Sequence, residues 1–176
     1  MQLEDKIKID ILEFIKTGKF DYIKIGKTKD WILMNFPDPD DAIGSIDVLK
    51  NDIWCYGDIE FHFNKDELYL IHTDNIRSFD GGESLELNKW IFSKPDSLYL
   101  SYVIDCLIHE RIDFRIENQV FGKISTINLS VIESGVKFGF SLMENLEQQD
   151  QESSQKVKNK SGAEAYYLHG LSLVRP

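Results

Sequence analysis

Apolar positions in the first forty residues recur at helical spacing. Leu3, Ile7, Ile11, Phe14 and Ile15 follow one helical face and Gly18 supplies a stop, which predicts a first helix. After "FDYIKIG", Thr28 has the character of an N-cap for a second short helix. Asp30 stands in its first turn, Trp31, Ile32 and Phe36 supply its buried side, and "PDPDD" ends it. The period then drops to two. "DIEFHF" alternates Ile59, Phe61 and Phe63 with Glu60 and His62, "NKDE" is turn-rich, and "LYLIHT" is a second strand, so a β-hairpin is predicted. "SLELNKWIF" reads as a third strand after the "DGG" turn. Pro95 and Asp96 open a helix striped by Leu100, Val103, Ile104, Leu107 and Ile108. "IDFRIENQV" follows, and "STINLSVIESGVKFGFSLM" reads as a hairpin turning at "ESG".

These elements predict an α+β fold, an antiparallel sheet with helices on one face. Ile59, Phe61, Phe63, Leu100, Val103, Ile104 and Leu107 are its expected core. The order helix, irregular chain, hairpin occurs twice, and "GDIEFHF" answers "SGVKFGF" in the spacing of glycine, aliphatic and aromatics. The expected organisation is therefore one α+β domain over residues 1–143 with two tandem related halves, 1–78 and 84–143. Residues 144–176 are read as a polar linker and a weakly docked tail. Burying Tyr166, Leu168, Leu171 and Leu173 at about 25 cal/mol per Å² is nearly cancelled by about 1–2 kcal/mol per ordered residue.

Hydrophobic residues make up 42% of the chain and aromatics 12%, enough for a packed interior. The net charge of −10 argues against nucleic acid as a partner, since phosphate repels such a surface, and suits a basic protein. Residues 37–60 carry seven acids and one lysine, Lys50. Cys55 and Cys106 form no CxxC pair and sit among apolar residues, as two reduced, buried thiols of a cytoplasmic protein would. "MQLEDKIKIDILEF" lacks the apolar core of a signal peptide, and no run approaches a membrane span of roughly 20 apolar residues.

Two histidines and several carboxylates lie within "IWCYGDIEFHFNKDELYLIH", so strand register decides whether they form a site. If Phe63 faces Leu68 across a four-residue turn, Phe61 faces Leu70 and Ile59 faces His72. His62 then points away from His72, and the two imidazoles cannot share a metal. A one-residue slip brings Glu60 opposite His72 instead. The first register gathers more apolar residues on one face and is the expected one. "DPDDAIGSID" departs from a calcium loop, with Ile43 at its sixth position and Leu49 at its twelfth. His109 closes the helix before it, where a cation suits the dipole. No GxSxG elbow or phosphate-binding glycine loop is present, and no cofactor or metal is assigned.

"GKTKDWILMNFPDPDD" followed by "IWCYGDIEFHFNKDELYLI" resembles the repeat of small outer-membrane assembly lipoproteins and β-lactamase-inhibitor-like proteins. Gly26, Thr28, Ile32, Phe36 and Pro39 fill the places of that repeat's Gly-x-Thr, aliphatic and Leu-Gly-x-Pro positions. Trp54, Tyr56, Phe61 and Phe63 stand where its strand aromatics belong, while Pro37 replaces its glycine. The resemblance implies a helix-pair and antiparallel-sheet unit, in tandem, that presents a protein-binding surface. In overall style the chain is also similar to bacterial immunity proteins that neutralise toxins. The expected function is a non-catalytic binding module, an immunity or inhibitor protein that occludes a basic partner, with Asp38, Asp40, Asp41 and Asp47 as contacts. The alternative is a metal-dependent hydrolase using Glu60, His62 and His72.

Overall fold

The computed structural model describes residues 6–44, 47–121, 124–142 and 162–175. Among them are three α-helices, an eight-stranded antiparallel sheet and a two-stranded parallel sheet, a mixed α+β fold that is mostly sheet. The large sheet takes β2 (Asp41–Ala42), β3 (Ile53–Tyr56), β4 (Ile59–Asn64), β5 (Glu67–Thr73), β7 (Phe114–Phe121), β8 (Ile124–Val131), β9 (Lys137–Leu142) and β10 (Tyr166–Val174). Their order across the sheet is β2-β3-β4-β5-β10-β9-β8-β7. The small sheet pairs β1 (Ile7–Asp10) in parallel with β6 (Leu85–Asn88).

The first helix begins later than its spacing predicts. "KIKID" alternates with period two, and Ile7–Asp10 forms β1, with Ile9 fully buried. Asp10 ends the strand and caps α1 (Ile11–Thr17), one carboxylate oxygen accepting the Glu13 N–H at 3.0 Å. Its other oxygen accepts from Asn88 at 3.0 Å, so one residue fastens the small sheet to the helix start. Gly18 ends α1 in the left-handed region, as expected. Thr28 caps α2 (Lys29–Asn35) by accepting the Trp31 N–H at 3.2 Å.

The third helix, α3 (Leu100–His109), starts beyond the predicted Pro95, because Pro95–Ser97 forms a separate 3-10 turn. Leu100, Val103 and Leu107 are buried, Ile104 is half-buried, and Ile108 is 60% exposed, so the apolar stripe is narrower than the spacing suggested. The predicted third strand is real but pairs with β1 and not with the β4–β5 hairpin.

Alternation divides the large sheet into two faces. Trp54, Phe61, Ile71 and Leu173 stand in one cross-strand row, and Thr73, Leu171, Phe138 and Leu129 in another. All eight are buried, and they share one core cluster with Ile11, Phe14, Ile32 and Leu107 of the helices apart from polar Thr73. Phe20, between α1 and α2, meets Phe61 edge-on at 5.5 Å between ring centroids. Of the expected core, Ile59, Phe61, Phe63, Leu100, Val103 and Leu107 are buried.

Element order repeats only in outline. Among the described residues, β1 to β5 runs through two α-helices and four antiparallel strands, and β6 to β9 through two 3-10 turns, one α-helix and three antiparallel strands. "GDIEFHF" and "SGVKFGF" are not equivalent in that order, since they fall on β4 and β9. The halves are joined by more than a boundary near 79–83. Asp58 accepts hydrogen bonds from Asn75, Ser78 and the Asp80 N–H at 2.7–2.9 Å, tying this crossover to the β3–β4 turn.

The tail expectation is corrected. Residues 166–174 are β10, the strand between the halves, paired with β5 on one side and β9 on the other. Leu168, Leu171 and Leu173 are buried and Tyr166 is half-buried. A tail resting on a surface has one contact face; a central strand gains two hydrogen-bonded ladders as well as burial, which tips the nearly cancelling terms toward order. The boundary at 143 therefore does not end the folded unit, and the expected linker lies largely outside the described residues.

Candidate binding face of the sheet

The β4–β5 pairing settles how the two histidines lie. Phe63 faces Leu68 as predicted, but the ladder then shifts, and His62 faces Leu70, Phe61 faces Ile71 and Glu60 faces His72. Tyr69 is the extra residue of a β-bulge. The sequence reading assumed an unbroken ladder, and one added residue on β5 moves His72 across the sheet. Glu60, His62 and His72 therefore share the face opposite the helices. His62 Nε2 and Glu60 Oε2 are 2.7 Å apart, and the His62 and His72 rings are 6.4 Å apart between centroids.

Register extends this group into one row across all eight strands. Asp41 faces Cys55, Cys55 faces Glu60, and Glu60 faces His72. His72 faces Ser172, which faces Lys137, and Lys137 faces Ser130, which faces Arg115. Every position has a polar or ionisable side chain. Acids and a thiol lie toward β2, and cations lie toward β7. No helix among the described residues covers this row, since their buried faces pack into the core on the other side.

Desolvation leads the shift of the half-buried thiols and of His169, although the His169 side chain is itself exposed. Cys55 is pushed up to about 11, first by desolvation and then by Glu60, Asp41 and Asp40. A thiol so placed stays protonated at neutral pH and is not an activated nucleophile. Cys106 is raised for the same leading reason. Both thiols are free, as expected, but half-buried and not fully enclosed. His169, on the irregular step of β10, is held below its ordinary value by desolvation and then by His72, with Asp74 opposing. Gly139 makes room for that ring: a Cβ there would come within 3.0 Å of the imidazole. Among the described residues, no three His, Cys, Asp or Glu side chains converge as a metal ligand set.

The four expected contact acids surround β2 but are not alike. Asp38 and Asp41 are exposed and make no ion pair among the described residues. Asp47 pairs with Lys50 at 2.7 Å, and that hydrogen bond is the main reason its carboxyl is held low. Asp40 is also exposed, but its carboxylate is taken up by hydrogen bonds within the fold. Its Oδ2 accepts the Gly57 and Glu83 N–H groups at 3.0 and 3.2 Å, and its Oδ1 accepts from Ser84 at 2.9 Å. Gly57 and Gly82 have positive φ, and a Cβ on Gly82 would fall on the Asp40 carboxylate.

Sequence reading missed Lys137, Ser130, Arg115, Ser172 and His169. The polar positions of "STINLSV" and "VKFGF" signalled an outward face, but nothing local aligned that face with Glu60 and His72. Comparison of the chain with protein-family models, curated proteins and solved structures finds no match. Among the described residues, no helix is long and apolar enough to cross a membrane.

Proposed function

We propose that the chain is a non-catalytic protein-binding module, an immunity or inhibitor type of protein that occludes a basic partner with the acidic end of this face. The observation that supports it most is the eight-strand row, whose β2–β4 end places Asp41, Cys55 and Glu60 side by side, with exposed Asp38 three residues before Asp41 in the chain. A sheet face with graded charge suits docking, and its charges would chiefly speed encounter. The net charge of −10 supports the sign of the partner, and two free thiols fit a reducing, cytoplasmic setting.

The test is association with the purified products of the reading frames flanking the gene, measured against ionic strength. Asp38→Asn, Asp41→Asn and Asp47→Asn combined should slow association severalfold and flatten its salt dependence. An association rate indifferent to all three would dispose of this face. Asp40 is left out because its loss would act on folding.

A second reading has one specific observation in its favour. Glu60, His62 and His72 lie on the same face, with Glu60 and His62 in hydrogen-bond contact at 2.7 Å, as a hydrolase using them requires. Stoichiometric zinc or manganese in protein purified without chelator, lost in His62→Ala, would favour this reading over docking.

A further inference from the structure

The two edges of the large sheet are finished differently. β2 is two residues long and lies among Asp38, Asp40 and Asp41, a short, charged edge of the kind that blocks pairing. β7 is eight residues long, "FRIENQVF", with no proline, no lysine and an unbroken register against β8. Among the described residues, no strand pairs with its outer side. On the helix side of the sheet, Ile116 is 47% and Val120 70% exposed.

The direction of the free amides follows from one bond. The Ile132 N–H donates to the Asp113 carbonyl at 2.9 Å, so Asp113 presents its backbone groups to β8. By alternation Arg115, Glu117 and Gln119 do the same. Ile116, Asn118 and Val120 therefore direct theirs outward.

We propose that β7 pairs antiparallel with β7 of a second copy of this chain, centred on Ile116. A two-fold there sets Ile116 against the partner's Ile116 in a hydrogen-bonded pair that uses the outward amides. Arg115 then stands against Glu117 of the partner subunit, and Glu117 against the partner's Arg115, in the closer, non-hydrogen-bonded pairs. These side chains already form an ion pair within one strand, at 3.4 Å between Arg115 Nε and Glu117 Oε1, so the interface joins four charges of alternating sign. Self-complementarity selects the occupant and the register. Centring on Glu117 would oppose two like charges, and centring on Asn118 would leave Arg115 and Glu117 without opposite charges across the seam.

Sedimentation equilibrium of the full chain tests this. The unmodified chain should sediment at twice its 20.4 kDa mass. Arg115→Glu alone and Glu117→Arg alone should each weaken association at least tenfold, because like charges then meet across the seam. An equimolar mixture of the two variants should regain the dimer, since each supplies what the other lacks. Far-UV circular dichroism of each variant checks that the exposed substitutions leave the fold intact. A chain that is monomeric at every concentration overturns the pairing, and so does a dimer indifferent to both substitutions. A mixture that stays monomeric overturns the register.

Discussion

Glu60 stands directly opposite His72 across the β4–β5 ladder because Tyr69 occupies the strand without a partner. Without that extra residue in the count, alternation assigns Ile59 to His72 and removes the second imidazole from the outer face. The bulge thus decides which chemistry the sheet presents. It joins Asp41, Cys55 and Glu60 on the one hand with His72 and Ser172 on the other in a single row.

The neighbours of Cys55 should make it a slow thiol. Its value rises from 9.0 to about 11, with burial the leading cause and the carboxylates of Glu60, Asp41 and Asp40 next. A rise of that size lowers the thiolate fraction at neutral pH by about 100-fold. In a Cys106→Ser background, reaction with an aromatic disulfide reagent should be slower in folded than in denatured protein by on the order of that factor. Glu60→Gln should recover part of the rate. Equal rates in the folded and denatured states would refute the assignment.

His169 predicts an acid-sensitive step in stability. Desolvation, then His72, hold its folded value below the 6.5 of the free side chain, while Asp74 acts in the opposite direction. Between the two values the unfolded chain binds more protons, so stability rises with pH and is complete above the unfolded value. Acidification from pH 7 through that window should lower the melting temperature. His169→Asn should show a shallower decline across the same window, with little change at pH 7.5. Parallel curves for the two proteins would assign the slope elsewhere.

Asp40 and Asp41 are sequence neighbours with different consequences. Asp40 accepts one hydrogen bond from the β3–β4 turn at Gly57 and two from Glu83 and Ser84 at the end of the crossover, and Asp41 accepts from its own neighbour, Ala42, at 2.7 Å. Asp40→Ala should cost about 1–3 kcal/mol and Asp41→Asn less than about 0.5 kcal/mol in urea unfolding. Gly82→Ala should resemble Asp40→Ala, because the added methyl displaces the same carboxylate. Equal effects at positions 40 and 41 would show that the carboxylate does not fasten the crossover.

Local patterns were legible where one face of an element is buried and its ends carry their own signals. The Thr28 cap, the Gly18 stop, the two hairpins and the Leu100–Val103–Leu107 stripe all have this form. The misreadings lie where the deciding interaction is remote. Ile7 fits both a helical face and the alternation of "KIKID", and its partner in the parallel pair is Leu85, far along the chain. The bulge at Tyr69 changes a count of one, which periodicity over six residues does not resolve. The row from Asp41 to Arg115 depends on strand order, and the central member of that order comes last in the chain.

That last strand carries the strongest stability prediction. β10 is paired with Leu70–Thr73 of β5 along one edge and with residues 137–142 of β9 along the other. Its inward side chains, Leu168, Leu171 and Leu173, are at most 5% exposed. Beyond the end of β5 the ladder is continued by Leu98, whose carbonyl accepts the Leu168 N–H at 2.9 Å, and the Tyr167 hydroxyl donates to the Pro95 carbonyl at 2.6 Å. Removing residues 162–176 would therefore leave two facing edges unpaired and open the centre of the core. No other described strand lies between β5 and β9 to close the gap. The truncated chain should lose its cooperative thermal transition and bind a hydrophobic dye. A milder change, Leu171→Ala, should cost about 2–5 kcal/mol, as truncation of a buried leucine does. Because the missing piece is a single strand, a peptide of residues 162–176 added to the truncated chain should restore part of the cooperative transition. A truncated chain that melts within a few degrees of the full one would show that β10 is dispensable, and with it the joining of the two halves through the centre of the sheet.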